Sequence, residues 1–508
     1  MYLRLSSDHL DEARANYFND LLCNGDPKTM LRTLDMLLKD KTKKYPSSSS
    51  ALQLAEDFAS FFESKVEKHL SKILHLVDHS VSDSVGCLDE LPKMSSFSSV
   101  SIDALTKTLA EAANKSCTLD LIPTSLLKQT SGVHMPYLQM IANESFASGT
   151  FPTVLKHGLV FPGLKKTHMD HEVKNNFRPV TNLAFLGKLL EKLAVKQIVL
   201  HTTTNNLRDL LQSAYTEYHS TETALLKVHN DLSIFLESGQ TCLLVLLDLS
   251  AAFDTVDIQI LLRRLEMTFG ITDKARLWVE SYLTGRTSSV CINGVESARR
   301  GVKYGVPQGS VLGPVLFMLY ITPLHDIFAR HNIQYHLYAD DIQVYLPFSW
   351  DRDGDHEQAH MRLRNCIEEV KHWMNQNCLI FNETKTEFMY VQSAHHHQKH
   401  RKQPLSLGDN IIYPKDKVRN LGVMFDNSLS MKPQVSSVVS SCSNQLRKLG
   451  RVRRNLTTGA INSAVRFSIL SRLDYCNSLL SAAGITQLSR LQKIQNHAAR
   501  IISKTQRH

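Results

Sequence analysis

Hydrophobic positions near the N-terminus recur every three or four residues, a period that predicts amphipathic helices. The repeated positions are Leu31, Leu34, Leu37 and Leu38 and, further on, Leu54, Phe58, Phe61 and Phe62. A polar, serine-rich stretch at 80–101 then predicts a linker. Residues 102–240 are predicted to be mainly helical, with one extended piece at 158–162. After residue 430 the helical period returns.

Two segments in the middle of the chain have the pattern of β-strands. Residues 241–247 form a continuous apolar run, bounded by Gly239 and Asp248, that is short for a helix. Such a run is typical of a strand that is buried on both faces. Residues 335–346 have the pattern of two strands joined by a tight acidic turn. We therefore predict a β-hairpin there.

Three acidic residues in these segments are candidate metal ligands. Asp248 ends the first strand, and Asp340 and Asp341 occupy the turn of the hairpin. If the strands are neighbours in one sheet, the carboxylates converge at one edge, which is costly unless cations neutralise them. Carboxylate oxygens suit Mg²⁺, and two Mg²⁺ ions about 3.5–4 Å apart are the apparatus of nucleotidyl transfer. An Asp-Asp pair alone is more often only turn chemistry.

Composition restricts the class of protein. The chain has 508 residues, of which 43% are hydrophobic and 21% are charged, as in a globular protein. No apolar run reaches the ~18 residues that a membrane span needs, and the N-terminus lacks the apolar core of a signal peptide. The nine scattered cysteines are therefore predicted to be reduced thiols of an intracellular protein.

Positive charge is concentrated at the C-terminus. The net charge is +9, and the last 68 residues contain 12 Lys and Arg against a single acid, Asp474. A basic segment on a nearly neutral body favours a polyanionic partner such as nucleic acid. The alternative is an ordinary solvated helix face.

Seven short motifs occur in order over about 250 residues. They are Phe177-Arg-Pro-Val-Thr-Asn-Leu183, Gln212 to Leu225, Leu247 to Val256, Gly305 to Pro314, Tyr338-Ala-Asp-Asp341, Leu379 to Glu387 and Val418 to Phe425. Together they resemble the boxes of the reverse transcriptases of LINE-type (non-LTR) retrotransposons, in the group that includes the Jockey and chicken-repeat elements. Thr216 departs from the pattern, because the family often has a basic residue there.

The resemblance implies a catalytic role for Asp248, Asp340, Asp341 and Lys385, and metal binding by the three acids together with Leu249. Asp248, Asp340 and Asp341 match the acids that hold two Mg²⁺ ions, which Mn²⁺ could replace. The backbone carbonyl of Leu249 would complete the shell of one ion. Lys385 matches a lysine that can protonate the leaving pyrophosphate as a general acid.

Four other residues are implied to bind the nucleotide. The ring of Phe253 would exclude the 2′-hydroxyl of an rNTP, whereas without the motif it would be interpreted as a core aromatic. Gln308 and Gly309 would line the nucleotide pocket. Arg178 would clamp the triphosphate, since a guanidinium can bind phosphate through two hydrogen bonds.

The resemblance implies an α+β fold of the right-hand polymerase type. It divides the chain into a helical N-terminal extension with a linker (1–100), an N-terminal and fingers region (101–240), a palm with an antiparallel sheet (241–430) and a basic helical thumb (431–508). The implied function is RNA-directed DNA polymerisation, in which dNTPs extend a primer 3′-end. The implied partners are an RNA template and a DNA primer or target DNA, without a membrane.

The resemblance also implies a longer parent protein. Related elements carry an endonuclease domain ahead of this region, so we expect the chain to be a fragment, with a truncated thumb. The implied location is intracellular, in the nucleus with a cytoplasmic ribonucleoprotein stage. The alternative function is that of a catalytically inactive remnant that still binds nucleic acid.

Overall fold

The computed structural model describes residues 2–25, 29, 30, 33, 36, 45–48, 50–71, 91–114, 117–166, 169–408 and 410–505. The predicted helical positions Leu31, Leu34, Leu37 and Leu38 lie outside the described residues, as do residues 80–90 of the predicted linker.

The described part of the chain combines many helices with fifteen strands in several sheets. The helices are α1 (Tyr2–Asn24), α2 (Ala51–Leu70), α3 (Ile102–Ala110), α4 (Thr124–Gln129), α5 (Ser131–Ser148), α6 (Phe185–Thr204), α7 (Thr221–Glu237), α8 (Ile258–Met267), α9 (Asp273–Leu283), α10 (Leu312–Ile321), α11 (Leu324–Arg330), α12 (Asp355–Gln376), α13 (Ala394–Lys399), α14 (Lys432–Val452), α15 (Thr458–Val465), α16 (Ser471–Asp474) and α17 (Ile485–Ser503). The strands are β1 (His157–Leu164), β2 (Phe177–Leu183), β3 (Thr241–Leu247), β4 (Leu249–Ser250), β5 (Arg286–Ile292), β6 (Val295–Glu296), β7 (Arg300–Val302), β8 (Gln334–Tyr338), β9 (Asp341–Phe348), β10 (Ile380–Phe381), β11 (Glu387–Val391), β12 (Leu405–Leu407), β13 (Asn410–Ile412), β14 (Lys417–Asn420) and β15 (Val423–Asp426).

The central sheet has the strand order β11-β3-β9-β8, and every neighbouring pair is antiparallel. Successive residues of β3 pack on opposite faces of this sheet. Leu243 and Val245 belong to the largest hydrophobic cluster, while Cys242 and Leu244 belong to a second cluster on the other face. Burial on both faces explains the uninterrupted apolar run. The predicted buried strand and the predicted hairpin are both confirmed.

A second sheet has the order β2-β1-β5, with β6 and β7 both paired to β5. In the chain, β1 and β2 precede the central sheet, whereas β5, β6 and β7 lie between its strands β3 and β8. β1 is antiparallel to β2 and parallel to β5. The extended piece predicted at 158–162 lies inside β1, whereas β2 was not predicted. Its Pro179 and exposed Arg178 obscure the strand pattern, and an edge strand such as β2 tolerates proline.

The helix α2 packs against this second sheet. The buried ring of Phe58 meets Phe177 of β2 edge-on, with 5.1 Å between the ring centroids. At the rim, the guanidinium of Arg300 pairs with Glu56 at 3.0 Å and with Glu63 at 2.8 Å. The predicted helix around Phe58 is confirmed, and it is an integral part of this layer.

The two ends of the described chain meet in a helical bundle at the C-terminus. Leu22 of α1 is fully buried in one hydrophobic cluster with Leu446 and Ile461. The backbone N–H of Thr457 donates to Asn19 Oδ1 at 2.8 Å. The predicted return to helix after residue 430 is confirmed.

Among the described residues, the segment Leu312–Arg330 passes a test of length and composition for a membrane span. However, 67% of its apolar window is buried inside the protein. This segment comprises α10 and α11, which pack in the largest hydrophobic cluster.

Replacing Phe58 with Ala should loosen α2 from the sheet. Loss of a buried phenylalanine ring costs about 3–5 kcal/mol, which corresponds to at least roughly 100-fold faster exchange. Hydrogen exchange of the amides in 51–70 measures this loss. Leu52→Ala, at an exposed position of the same helix, is the control. Equal protection in wild type and Phe58→Ala would show that this ring does not anchor α2.

Candidate active site

Strand pairing places Asp248 and Asp341 at the same edge of the central sheet. In the β3–β9 pair Leu247 lies opposite Ile342, so the residue that follows β3 meets the residue that begins β9. Both side chains therefore lie where the sheet ends, and not within its core.

A tight turn adds Asp340 to this edge. Tyr338 pairs with Asp341 in the β8–β9 hairpin, which leaves Ala339 and Asp340 as the two turn residues. Ala339 has φ +55°, the left-handed conformation that two-residue hairpin turns favour. Asp248, Asp340 and Asp341 form what we call the acidic edge.

Two carboxylates of the acidic edge, Asp340 and Asp341, have raised pKa values. Loss of hydrating water, and then the charges of Asp340 and Asp248, raise the pKa of Asp341 to about 6. Loss of water also raises the pKa of Asp340; Asp248 adds to this shift, and the Lys385 ammonium opposes it. Each negative charge is thus costly here until a cation neutralises it.

Lys385 lies directly at the acidic edge. Its Nζ is 3.0 Å from Asp248 Oδ2, in an ion pair that is open to solvent. The preceding Asn382 holds the loop in place. Its backbone N–H donates to the carbonyl of Asp248 at 2.9 Å, and its Nδ2 donates to Ser250 Oγ at 2.9 Å. Sequence analysis did not assign Asn382, although Asn-x-Thr is a signal for a turn closed by the asparagine side chain.

The donor chemistry of the acidic edge fits a hard divalent cation. Three mutually repelling carboxylates offer the oxygen ligands that Mg²⁺ prefers. Among the described residues, however, no group of three or more His, Cys, Asp or Glu side chains is arranged as a metal-binding cluster. Leu249 lies in β4, antiparallel to β10. The assignment of Asp248, Leu249, Asp340 and Asp341 as metal ligands stays a prediction.

The ring of Phe253 is held from behind by Phe317 of α10. The two rings are stacked with 4.7 Å between centroids and 26° between planes. The carbonyl of Phe253 accepts a hydrogen bond from Val306 N–H at 2.8 Å. The stacking holds the half-buried ring, and the hydrogen bond holds the backbone that carries it. A steric barrier requires such a fixed ring.

Gln308 is hydrogen-bonded to a half-buried acid that was not assigned from the sequence. Its Nε2 donates to Asp254 Oδ1 at 2.8 Å. Burial raises the pKa of Asp254 to about 6, and the bond from Gln308 opposes this shift. One amide hydrogen and the amide oxygen of Gln308 are left for other partners. The position of Asp254 directly after Phe253 was the only available signal.

Gly309 is required by a close approach to β2. Its φ is +102°, and a Cβ added there would lie 2.3 Å from the carbonyl oxygen of Thr181. The neighbouring Gln308 carbonyl accepts from Thr181 N–H at 3.0 Å. Gly309 thus allows the loop before α10 to approach β2 closely, and its role in lining a nucleotide pocket stays a prediction.

A buried glutamate fixes the start of α10. Glu191 Oε2 accepts hydrogen bonds from the backbone N–H groups of Val311 and Leu312, the latter at 3.0 Å. Burial raises the pKa of Glu191, and these backbone bonds oppose the shift. Sequence analysis missed Glu191; its only signal was one acid on the apolar face of α6, between Leu190 and Leu193.

A cavity of about 200 Å³ lies between α2 and the second sheet and extends to Asp254 and Gln308. The helix contributes Phe62 and Lys65 to its wall. Sequence analysis placed no candidate site residue in 1–100. The N-terminal region therefore borders the predicted nucleotide-binding residues.

The structure brings some predicted site residues together and leaves one apart. Asp248 and Lys385 are in direct contact, and their charges act on Asp340; Asp341 is affected by Asp340 and Asp248. Arg178 lies exposed on β2, opposite Gly163 of β1, with no contact to the acidic edge among the described residues. Its role as a triphosphate clamp stays a prediction.

Comparison with known proteins identifies the segment that contains this site. The family model of the reverse transcriptase (RNA-dependent DNA polymerase) matches residues 164–425, just over half of the chain. The chain belongs to the reverse transcriptase family. The matched range includes the acidic edge, Lys385 and all the predicted nucleotide-binding residues.

Curated relatives indicate the branch of this family. The chain is 23% identical to the RNA-directed DNA polymerase from mobile element jockey of Drosophila funebris, over 76% of this chain and 42% of that protein. It is 22% identical to the probable RNA-directed DNA polymerase from transposon BS of Drosophila melanogaster, over 97% of this chain and 55% of that protein. The predicted resemblance to a Jockey-like non-LTR reverse transcriptase is confirmed. This chain spans about half the length of these relatives.

A solved structure of apo telomerase from Candida tropicalis is also similar, at 12% identity over 69% of this chain and 63% of that one, with a TM-score of 0.38. A score below 0.5 is too low to establish a shared arrangement of domains.

Asp341→Asn should stabilise the protein at pH 8, and by roughly half as much at pH 5, which lies midway between the folded and unfolded pKa values of Asp341. The folded-state pKa of Asp341, about 6, exceeds its unfolded value of about 3.9. The folded state therefore binds this proton more tightly than the unfolded state. The contribution of Asp341 to the free energy of unfolding falls as the pH rises from about 3.9 to about 6. The measurement is the melting temperature without divalent cations, with Asp353→Asn as an exposed control. A variant that melts no higher than wild type at pH 8 would contradict the electrostatic account.

Proposed function

We propose that the chain is an RNA-directed DNA polymerase that extends a primer 3′-end with dNTPs. The observation that carries this proposal is the convergence of Asp248, Asp340 and Asp341 at one sheet edge, inside the segment matched by the reverse transcriptase family. The names of the relatives, RNA-directed DNA polymerases of mobile elements, support the same reaction.

The proposed hand-like arrangement assigns one role to each layer. The central sheet with the acidic edge would be the palm, and the second sheet with α6 would belong to the fingers. The basic helices α14 to α17 would be the thumb. Their cations would hold the phosphates of a template–primer duplex without reading its sequence. The turn of β14–β15 at Leu421 and Gly422 would support the primer.

The proposed chemistry uses the acidic edge for two Mg²⁺ ions. When bound, the ions would lower the pKa of the primer 3′-hydroxyl and neutralise the charge of the leaving pyrophosphate. Asp248 and Asp340 would be the main ligands and Asp341 the weaker one. Lys385 Nζ, now paired with Asp248, would move its proton to a pyrophosphate oxygen, as a general acid.

Nucleotide selection would depend on the wall next to the acidic edge. Phe253, fixed against Phe317, would exclude a 2′-hydroxyl. Gln308, oriented by Asp254, would offer its second amide hydrogen to the sugar or base. We extend the proposal to an RNA template, a DNA primer or target DNA, and intracellular work in the nucleus after a cytoplasmic ribonucleoprotein stage.

Asp340→Asn should abolish primer extension and leave duplex binding intact. Loss of one main ligand should lower the extension rate on the order of 1000-fold or more, in line with other losses of transition-state charge stabilisation. The assay is extension of a DNA primer on an RNA template with dNTPs and Mg²⁺. The control is Asp353→Asn, an exposed carboxylate before α12. Extension by Asp340→Asn at the wild-type rate would refute the assigned centre.

The same assay tests the alternative function. A folded wild-type chain that binds the template–primer but does not extend it in Mg²⁺ or Mn²⁺ would be an inactive nucleic-acid-binding remnant. Backbone binding depends mainly on low salt, so a salt titration of binding separates this outcome from a protein that does not recognise nucleic acid.

Phe253→Ala should relax the discrimination against rNTPs. Removing a steric clash of about 1–3 kcal/mol corresponds to a roughly 10- to 100-fold gain in rNTP incorporation relative to dNTP. Phe253→Tyr keeps the ring and serves as the matched control. The measurement is kcat/KM for a dNTP and the matching rNTP. An unchanged ratio in Phe253→Ala would show that this ring is not the barrier.

A further inference from the structure

The loop between α6 and α7 lies along the free edge of the central sheet. β8 is the last strand of that sheet. Leu337 of β8 donates its N–H to the Leu211 carbonyl at 2.9 Å and accepts from Ser213 N–H at 3.0 Å. We call residues 211–219 the edge loop. Its position is thus set by the strand that leads into the turn at Asp340.

Side chains lock the edge loop to the hairpin. The buried Gln212 uses its Oε1 to accept from Ala339 N–H in the catalytic turn and from Ala214 N–H in the loop, both at 3.0 Å. The buried Ser213 Oγ is 2.9 Å from His336 Nε2. The bonds to Ala339 and His336 join the loop to the catalytic turn and to β8, so the loop is held next to the acidic edge.

Two tyrosines of the edge loop have strained backbones. Tyr215 has φ +53° and Tyr218 has φ +63°, in the left-handed region that side chains with a Cβ disfavour. Each such residue costs on the order of 1–3 kcal/mol and persists only where its surroundings impose it. The locked contacts of Gln212 and Ser213 supply that constraint.

Burial of the two rings does not offset the free-energy cost of the strained backbone. Tyr215 is 57% exposed and Tyr218 is 90% exposed, although an aromatic ring gains most when it leaves water. Two exposed rings on strained backbone thus lie within four residues of each other on a firmly held loop. This combination favours a surface that a ligand covers.

The edge loop brings Tyr215 close to the acidic edge. The pKa of Tyr215 is raised by burial of its hydroxyl and then by the charges of Asp340 and Tyr338. The neighbouring Asp340 carboxylate repels phosphate, so the backbone of a nucleic acid is a poor partner for this ring. The flat, uncharged face of a base is a suitable one.

We propose that Tyr215 and Tyr218 form a stacking surface for bases of the nucleic acid that is bound at the acidic edge. This inference rests on the proposed polymerase function for the identity of the ligand. Stacking of a base on an aromatic side chain contributes roughly 1–3 kcal/mol and accepts any base, because every base has a π face. The surface would thus hold a strand next to the catalytic carboxylates without reading its sequence.

The departure at Thr216 is consistent with this role for the loop. Arg208 donates from its guanidinium to Thr216 Oγ1 at 3.0 Å. A cation is therefore present at the position where the family often has a basic residue in the loop itself. Because Arg208 supplies the positive charge, the rings of Tyr215 and Tyr218 can contact the bases.

The first test is the affinity for a template–primer without dNTP or divalent cation, measured by fluorescence anisotropy. Tyr215→Leu should weaken binding about 5- to 100-fold, the range that corresponds to one stacked base. Tyr215→Phe keeps the ring and should bind like wild type. Tyr137→Leu, at an exposed tyrosine of α5, is the control. Equal affinity of Tyr215→Leu and wild type would overturn the proposal.

Tyr215→Gly separates stacking from a structural role. Glycine tolerates the left-handed backbone, so this variant should melt at or above the wild-type temperature while binding nucleic acid as weakly as Tyr215→Leu. A lower melting temperature together with wild-type affinity would show that the ring only supports the loop, which would overturn the proposal.

A photochemical test locates the contact. 5-Iodouracil placed within two nucleotides of the primer 3′-end should cross-link to Tyr215 or Tyr218. Cross-links only to other parts of the chain would overturn the proposal.

The two hypotheses can fail separately. Ring-dependent binding without primer extension would keep the stacking surface and remove the polymerase function. Primer extension together with binding that depends on neither ring would keep the polymerase function and remove the stacking surface.

Discussion

The convergence of Asp248, Asp340 and Asp341 at one edge of the central sheet is the constraint around which the rest of this structure is organised. The antiparallel register of β3, β8 and β9 forces the carboxylates to one edge, where the charges of Asp340 and Asp248 contribute to the raised pKa of Asp341. A fold does not gain stability from such a cluster. The large hydrophobic clusters on both faces of the central sheet hold the strands in this register despite the repulsion.

Around the acidic edge, hydrogen-bonded polar groups fix the loop and the helix start that carry predicted site residues. Asn382 fixes the loop that carries Lys385 to Asp248, and Glu191 fixes the start of α10 next to Gln308 and Gly309. Loss of one partner in such bonds costs about 1–3 kcal/mol, because the other is left buried without a partner. Stability elsewhere in the fold thus maintains a site that is itself unfavourable.

Short-range patterns in the sequence predicted the parts of this arrangement that depend on local chemistry. The apolar run of β3 and the turn at Asp340 have clear periods and boundaries, and the motifs around them indicated the family. The sequence could not show β2, because Pro179 and Arg178 conceal its pattern. It could not show Glu191 either, since its partners lie 120 residues away in the chain. The lock between Gln212 and Ala339 likewise exists only once the loop and the hairpin have met.

The most direct test of the central claim is Mn²⁺ binding, followed by electron paramagnetic resonance at pH 7.5. Wild type would be compared with Asp248→Asn, Asp340→Asn and Asp341→Asn. If the carboxylates are held together to bind a divalent cation, each substitution should weaken Mn²⁺ binding, by about tenfold or more for the two main ligands. Equal Mn²⁺ binding by wild type and all three variants would contradict the account, because the acidic edge would then not be a cation site.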